Sequence, residues 1–214
     1  MSPVDDIARF SRVERWLHRT IAVLTTVLII TGAALYFPLL AELIGFRPVV
    51  RLVHLIAGLA LPIPIVLAFA SRAFRTDLRR LNRFTRADRA WLRRLGRPSE
   101  LNRVGKFNAG QKLNSAATAT WIIVMLATGS MMAFNRAFPD GVLTGATLVH
   151  DLTALCLVLL IGGHLVMAAR DPISRSGMRT GVVPSSWAVS KHPAWAATQV
   201  QRSVPTDSDR RPSP

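Results

Sequence analysis

The sequence has very little cysteine and comparatively little negative charge. Its single cysteine, Cys156, excludes an intrachain disulfide and any iron–sulfur centre bound by this chain alone. Twelve acidic residues stand against 27 lysines and arginines, which gives a formal net charge of +15. Because no nucleic-acid-binding motif accompanies the basic residues, we expect no nucleic acid among the partners.

Long hydrophobic runs, in contrast, are abundant. Half of the residues are hydrophobic and only 18% are charged, which is more apolar than a soluble domain of 214 residues requires. Four apolar stretches have, or approach, the ~20 residues that a helix needs to cross a bilayer. They occupy residues 16–37, 49–71, 113–134 and 145–169. The sequence therefore predicts an all-α integral membrane protein, a bundle of four transmembrane helices.

The distribution of positive charge predicts how the bundle is oriented. Residues 72–112 hold thirteen arginines and lysines against three acidic residues, whereas the two other connections are nearly balanced. By the positive-inside rule, this loop is cytoplasmic and so are both termini. We expect a cytoplasmic N-terminus at 1–15, a membrane domain at 16–169 and a partly disordered cytoplasmic tail at 170–214.

Two local features refine this outline. Apolar residues alternate with arginines in 72–112, which is typical of an amphipathic helix lying on the membrane surface, and a solvated basic loop is the alternative. Pro62 and Pro64 fall in the middle of the second span, where a missing backbone donor predicts a kink.

Four of the five histidines lie inside the predicted spans. Ionisable residues in a membrane are costly, and they mark proton relays, metal sites or haem sites. With the amino terminus inside, His18 and His164 lie at cytoplasmic depth, while His54 and His150 lie near the outer face. Depth therefore pairs His18 with His164 and His54 with His150. His192 lies outside any span, and we expect it to dock the tail on a partner.

The spacing of the histidines on the fourth span indicates two cofactors. His150 and His164 are fourteen residues apart, nearly four helical turns, so they share one face with a rise of about 21 Å. Paired histidines on opposite sides of a porphyrin give a low-spin haem suited to electron transfer. We predict two b haems, one on each pair, with glycines beside them and arginines near their propionates. The glycines are Gly32, Gly58, Gly162 and Gly163, and the arginines are Arg15, Arg19 and Arg51. A haem-free transporter using histidine relays is a rival hypothesis.

Several segments resemble one family, the cytochrome b (gamma) subunits of respiratory formate dehydrogenases. The resemblance covers about residues 9–196 and is carried by RFSRVERWLHRT, RLVHLIAG, KFNAGQK, LVHD and GGHLVMAARDP. It implies the same four haem ligands, His18, His54, His150 and His164. In that family the segment matching KFNAGQK helps to bind menaquinone beside the cytoplasmic haem, and here it offers Asn108, Gly110 and Gln111.

The resemblance also implies a role in a larger complex. This chain would be the electron-transfer and quinone-reducing subunit in a bacterial cytoplasmic membrane. It would receive electrons from an iron–sulfur (beta) subunit and pass them through two haems to menaquinone, while formate is oxidised in a catalytic (alpha) subunit. No catalytic residue for formate oxidation is predicted in this chain. The alternative partner is a nickel–iron hydrogenase or another quinone-linked dehydrogenase.

Overall fold

The computed structural model describes residues 6–94 and 104–203, which are almost entirely helical. Four helical segments are long and apolar enough to cross a membrane. They are α1 (Arg12–Tyr36), the adjoining helices α3 (Arg47–Ala60) and α4 (Pro62–Ala68), α7 (Ala109–Ala133) and α8 (Asp140–Arg170). The prediction of four spans is confirmed, although each helical segment extends beyond at least one end of the apolar stretch that predicted it.

Capping side chains explain where two of the long helices begin. Ser11 Oγ accepts a hydrogen bond from the Glu14 backbone N–H, and the Glu14 carboxylate accepts one from the Ser11 N–H, 2.7 Å away. This capping box satisfies first-turn donors and starts α1 four residues before its apolar run. Asn108 and Gln111 form the same arrangement at the start of α7.

The predicted kink in the second span is confirmed as a break between α3 and α4 at Leu61. Pro62 has no backbone N–H and occupies the first position of α4, a place where that donor is not needed. Leu61 N–H instead donates to the Gly58 carbonyl, three residues earlier, at 3.3 Å. The second span is therefore two helices in series.

The spans pack as two helical hairpins. α1 lies along α3, α7 lies along α8, and α3 also contacts α7. The first hairpin is joined through α2 (Pro38–Ile44), and the second through a 3₁₀ turn (Asn135–Ala137). Because α3 belongs to the first hairpin and contacts α7 of the second, it joins the two hairpins into one bundle.

The basic segment forms two amphipathic helices rather than the one we predicted. These are α5 (Arg72–Leu81) and α6 (Arg86–Arg93). Thr85 and Asp88 form a capping box that starts a new helix after the turn at residues 82–85. Asp77 of α5 and Asp88 of α6 are both buried, whereas most arginines of the two helices are exposed.

The tail folds against the start of the chain. It comprises α9 (Pro172–Thr180), β2 (Val182–Pro184), α10 (Ser185–Lys191) and α11 (Pro193–Ser203). β2 pairs antiparallel with β1 (Asp6–Ala8), which fixes both ends of the described chain at the same end of the bundle. A cluster of buried apolar residues lies here: Val183, Trp187, Ala188, Trp195 and Ala196. Residues 204–214, expected to be disordered, lie outside the described residues.

Candidate functional site

The four histidines in the spans form two close pairs in the folded chain. The imidazole centroids of His18 on α1 and His164 on α8 are 6.2 Å apart. Those of His54 on α3 and His150 on α8 are 6.4 Å apart. These are the same pairs that depth in the membrane indicates.

Both separations fit a cofactor that takes one axial nitrogen from each side. A metal–imidazole bond is about 2.0 Å long, so two imidazoles on opposite sides of one metal have centroids roughly 6 Å apart. Across residues 6–94 and 104–203, no group of three or more His, Cys, Asp and Glu side chains lies close enough to hold a metal ion. The paired imidazoles therefore suit a bis-histidine haem rather than a tetrahedral metal site.

Each histidine of the pair His54 and His150, called the outer pair after its predicted depth, is held by a threonine on the neighbouring helix. Thr31 Oγ1 lies 2.8 Å from His54 Nδ1, and Thr128 Oγ1 lies 2.9 Å from His150 Nδ1. Sequence reasoning missed these two contacts. The available signal was a Thr-Gly dipeptide inside the first and third spans, at positions 31–32 and 128–129.

The glycine of each dipeptide lies beside the imidazole that its threonine holds. A Cβ added to Gly32 would lie 3.4 Å from His54 Cε1, and one added to Gly129 would lie 3.2 Å from His150 Cε1. Gly32 is one of the glycines predicted to lie beside a haem, and it contacts the edge of a candidate ligand. Gly129 was not predicted. A side chain there would require the imidazole to move by a few tenths of an ångström.

The pair His18 and His164, called the inner pair after its predicted depth, has different surroundings. In the described part of the chain, no hydrogen bond to a ring nitrogen of His18 or His164 is found. The nearby arginines bind backbone instead: Arg15 and Arg19 donate to the Arg179 carbonyl at 2.8 and 3.0 Å. That carbonyl lies in the last turn of α9, where the helix dipole favours cations. Two of the arginines predicted to meet haem propionates thus cap a tail helix in this structure.

Asn108 and Gln111, the predicted quinone ligands, are partly committed to holding α7 in place. Asn108 Oδ1 accepts from the Gln111 N–H at 2.9 Å, and Gln111 Oε1 accepts from the Asn108 N–H at 3.0 Å. Both bonds use the amide oxygens as acceptors, so the N–H donors of the two amide NH₂ groups are not used by the capping box. The Gly110 N–H belongs to the first helical turn and has no acceptor within the helix. Three donor groups are therefore concentrated at one helix start.

A tryptophan packs directly against this helix start. A Cβ added to Gly110 would lie 3.1 Å from Cη2 of Trp91, on α6. Any larger residue at position 110 would push the indole away. The close approach explains why the chain has glycine at this point of KFNAGQK.

Two buried ion pairs hold the ends of the same segment. Lys106 pairs with Asp77 on α5, and Lys112 Nζ lies 2.7 Å from Asp88 Oδ2 on α6. Burial raises the pKa of Asp88, but hydrogen bonds from Lys112 and Thr85 outweigh it and leave the pKa below its ordinary value. The carboxylate is therefore charged at neutral pH and fixes Lys112 against α6.

The segment preceding Asn108 contacts the start of the chain, close to the inner histidine pair. Arg9 Nη2 donates to the Lys106 carbonyl at 3.3 Å, and the rings of Phe10 and Phe107 are 6.3 Å apart. α1 begins two residues after Phe10, and His18 lies in its second turn. The candidate quinone residues are therefore at the same end of the bundle as His18 and His164.

His192 is buried within its own chain, so the prediction that it docks on a partner is wrong. Its Nδ1 lies 2.7 Å from the Gly105 carbonyl, its Nε2 lies 3.3 Å from Arg9 Nη2, and the ring packs between Trp187 and Trp195. Burial and the nearby Arg9 charge lower the pKa of His192 to about 4. The neutral imidazole joins the tail to both the amino terminus and the loop before α7.

Comparison with known proteins identifies the family. Residues 9–181 match the family described as prokaryotic cytochrome b561, and the match includes all four span histidines. The chain belongs to the prokaryotic cytochrome b561 family. Membership in this family of membrane cytochromes implies haem b as the cofactor, in agreement with the histidine pairs.

Individual relatives in this cytochrome b561 family carry more specific names. The chain is 27% identical over 206 residues to the cytochrome b556(Fdn) subunit of the nitrate-inducible formate dehydrogenase of Escherichia coli (strain K12), covering 91% of this chain and 92% of the relative. It is 26% identical over 208 residues to the formate dehydrogenase cytochrome b556 subunit of Haemophilus influenzae, covering 92% of this chain and 84% of the relative. These similarities confirm the resemblance to formate dehydrogenase cytochromes.

Proposed function

We propose that this chain is the membrane cytochrome b subunit of a formate dehydrogenase complex and that it delivers electrons to menaquinone. The observation that carries the proposal is the presence of two histidine pairs, with centroids 6.2 and 6.4 Å apart, whose members on α8 lie fourteen residues apart along one unbroken helix. The names of relatives aligned along nine-tenths of the chain support the choice of complex. They favour formate dehydrogenase over the alternative, a hydrogenase.

The residues that would hold two haems are the four paired histidines. His54 and His150 would bind one haem near the outer face, and His18 and His164 would bind the other near the cytoplasm. When bound, haem iron with two histidine ligands supplies one-electron chemistry without a free site for oxygen. The helices contribute fixed positions for the four imidazoles.

The orientation of the protein completes this proposal. The arginine-rich helices α5 and α6, the paired strands β1 and β2 and the inner histidine pair all belong to one end of the bundle. The positive-inside rule would assign that end to the cytoplasm. An iron–sulfur subunit would then deliver electrons near His54 and His150, and menaquinone would be reduced near His18 and His164. The catalytic and iron–sulfur subunits of the complex are the proposed protein partners.

Menaquinone would bind at the start of α7. Reduction of a quinone places negative charge on its two oxygens, which preorganised N–H donors stabilise. The donors here are the amide groups of Asn108 and Gln111 and the backbone N–H of Gly110. Lys106 and Lys112, each in an ion pair, keep these donors in place. Protons reach this end of the bundle from the cytoplasm.

Purification of the intact complex from membranes tests the proposal. We expect two haems per copy of this chain by pyridine haemochrome analysis, iron–sulfur and formate-oxidising subunits in the same preparation, and haem reduction by formate. One haem or none would contradict the assignment of the histidine pairs. Hydrogenase subunits, with reduction by hydrogen and not by formate, would instead support the alternative complex. Absence of haem bands would favour a histidine-relay transporter.

A further inference from the structure

The threonines beside the outer histidines repeat one hydrogen-bond pattern in both hairpins. Thr31 Oγ1 lies 2.6 Å from the Val27 carbonyl and 2.8 Å from His54 Nδ1. Thr128 Oγ1 lies 2.8 Å from the Val124 carbonyl and 2.9 Å from His150 Nδ1. In each case the threonine, on the first helix of a hairpin, bridges a carbonyl one turn earlier and the histidine of the next span.

This pattern determines the position of the proton on each histidine. A hydroxyl group has one hydrogen, and a carbonyl oxygen only accepts. The short contact with the carbonyl therefore uses the threonine hydrogen, and the threonine oxygen must accept from Nδ1–H. That tautomer leaves the lone pair on Nε2, which would then be the nitrogen available to bind iron.

A hydrogen bond from Nδ1–H also changes the ligand electronically. Donation of that proton toward an acceptor raises the basicity of the imidazole, which strengthens its bond to the more positive oxidation state of a metal. Iron(III) is thereby stabilised relative to iron(II), and the midpoint potential falls. Because Thr31 and Thr128 contact His54 and His150, this influence acts on the outer site.

We propose that Thr31 and Thr128 are positioning residues of the outer haem, which fix the Nδ1–H tautomer of His54 and His150 and lower the midpoint potential of that haem. The inference depends on the proposed function, since it requires a haem between these histidines. A lower potential at the outer haem favours movement of electrons toward the inner site. The threonines would thus contribute to the direction of transfer.

The test compares three kinds of variant of the intact complex in membranes. Thr31→Val and Thr128→Val, singly and together, keep the branched shape but remove the hydroxyl. Thr31→Ser and Thr128→Ser keep the hydroxyl. Thr26→Val is the matched control, because Thr26 Oγ1 donates to the Ala22 carbonyl at 2.8 Å on the same helix and, within residues 6–94 and 104–203, forms no hydrogen bond with a histidine. Spectroelectrochemical titration resolves the two midpoint potentials, and a His54→Ala variant identifies the outer haem by its loss.

We expect the valine variants to shift the outer potential to a more positive value, additively in the double variant, with the inner potential unchanged. The serine variants and Thr26→Val should retain the wild-type potential. Selective release of the outer haem in the valine variants, with retention in the serine variants, would equally support positioning. An unmoved outer potential with haem bound, or equal haem loss in all variants, would overturn this inference alone. Fewer than two haems in the wild type would overturn the proposed function itself.

Discussion

Lys112 and Asp88 form a buried ion pair that joins the start of α7 to α6, with Nζ 2.7 Å from Oδ2. Asp88 also caps α6 through Thr85, and Lys112 donates a second hydrogen bond to the Arg83 carbonyl. The contact therefore anchors two helices at the candidate quinone site.

We predict that Asp88→Asn destabilises the protein by about 3 kcal/mol, because it leaves the Lys112 charge buried without a counterion. The double variant Asp88→Asn with Lys112→Met should recover part of this loss. Arg80→Ala is the comparison, since the Arg80 side chain is 40% exposed and its bond to Asp77 should contribute less than about 1 kcal/mol. Denaturant titration followed by haem absorption measures the three free energies of unfolding. Equal losses for Asp88→Asn and Arg80→Ala would contradict the prediction.

The quinone proposal predicts slower reoxidation of the haems in Asn108→Ser. Serine still caps α7, so the variant removes the amide donor without the loss of about 1 kcal/mol expected when the cap is deleted. Loss of one donor to a developing oxyanion lowers a rate on the order of a hundredfold. Reoxidation of dithionite-reduced haem by a menaquinone analogue gives the measurement.

Gln111→Glu should have a similar effect, because it keeps the oxygen that accepts from the Asn108 N–H but lacks the NH₂ group. Asn135→Ser, in the turn beyond the other end of α7, is the control and should reoxidise normally. Normal reoxidation rates in both site variants would show that KFNAGQK only starts α7 and does not bind quinone. Loss of the inner haem would assign the segment to the haem pocket.

The histidine pairs should respond separately to mutation. His54→Ala or His150→Ala is expected to remove the outer haem and retain the inner one, and His18→Ala or His164→Ala should do the reverse. The reason is the helical rise of about 21 Å between the two histidines of α8, which is too long for one iron to share. Haem content and redox titration of each variant give the answer. The assignment would be wrong if His54→Ala and His164→Ala lost the same haem.

The buried His192 predicts acid-sensitive packing of the tail. Its pKa is about 4 in the folded chain, against an ordinary value of 6.5, because burial and Arg9 oppose a second positive charge. Below pH 6.5 the unfolded tail therefore binds more protons than the folded tail, and stability falls as the pH decreases from about 6.5 to about 4. Well below pH 4, the total loss in the free energy of unfolding of the tail is about 3 kcal/mol.

Fluorescence of Trp187 and Trp195, or hydrogen exchange of α10 and α11, follows this opening. His192→Gln keeps one donor and one acceptor but does not titrate, so its tail should be much less sensitive over the same pH range. A wild-type signal that stays constant from pH 6.5 to 4 would show that protonation of His192 does not loosen the tail.

The sequence by itself determined the number of spans, the basic character of one end and the pairing of histidines by depth. An apolar run of about 20 residues is enough to predict a span, and the fixed rise per residue of a helix converts sequence position into depth in the membrane. Sequence position alone was therefore enough to predict the pairing of four histidines: His18, His54, His150 and His164. The break at Pro62 was equally local, since proline lacks a backbone donor.

Only the tertiary structure decided which side chains meet at those depths. The contact of Thr31 with His54 spans 23 residues, and that of Thr128 with His150 spans 22, across helices whose rotation about their axes depends on packing. The same holds for His192, which binds the Gly105 carbonyl although the two residues are 87 positions apart in the sequence. Composition indicates how deep a residue lies, but the direction in which a side chain points at that depth is fixed by the neighbouring helices.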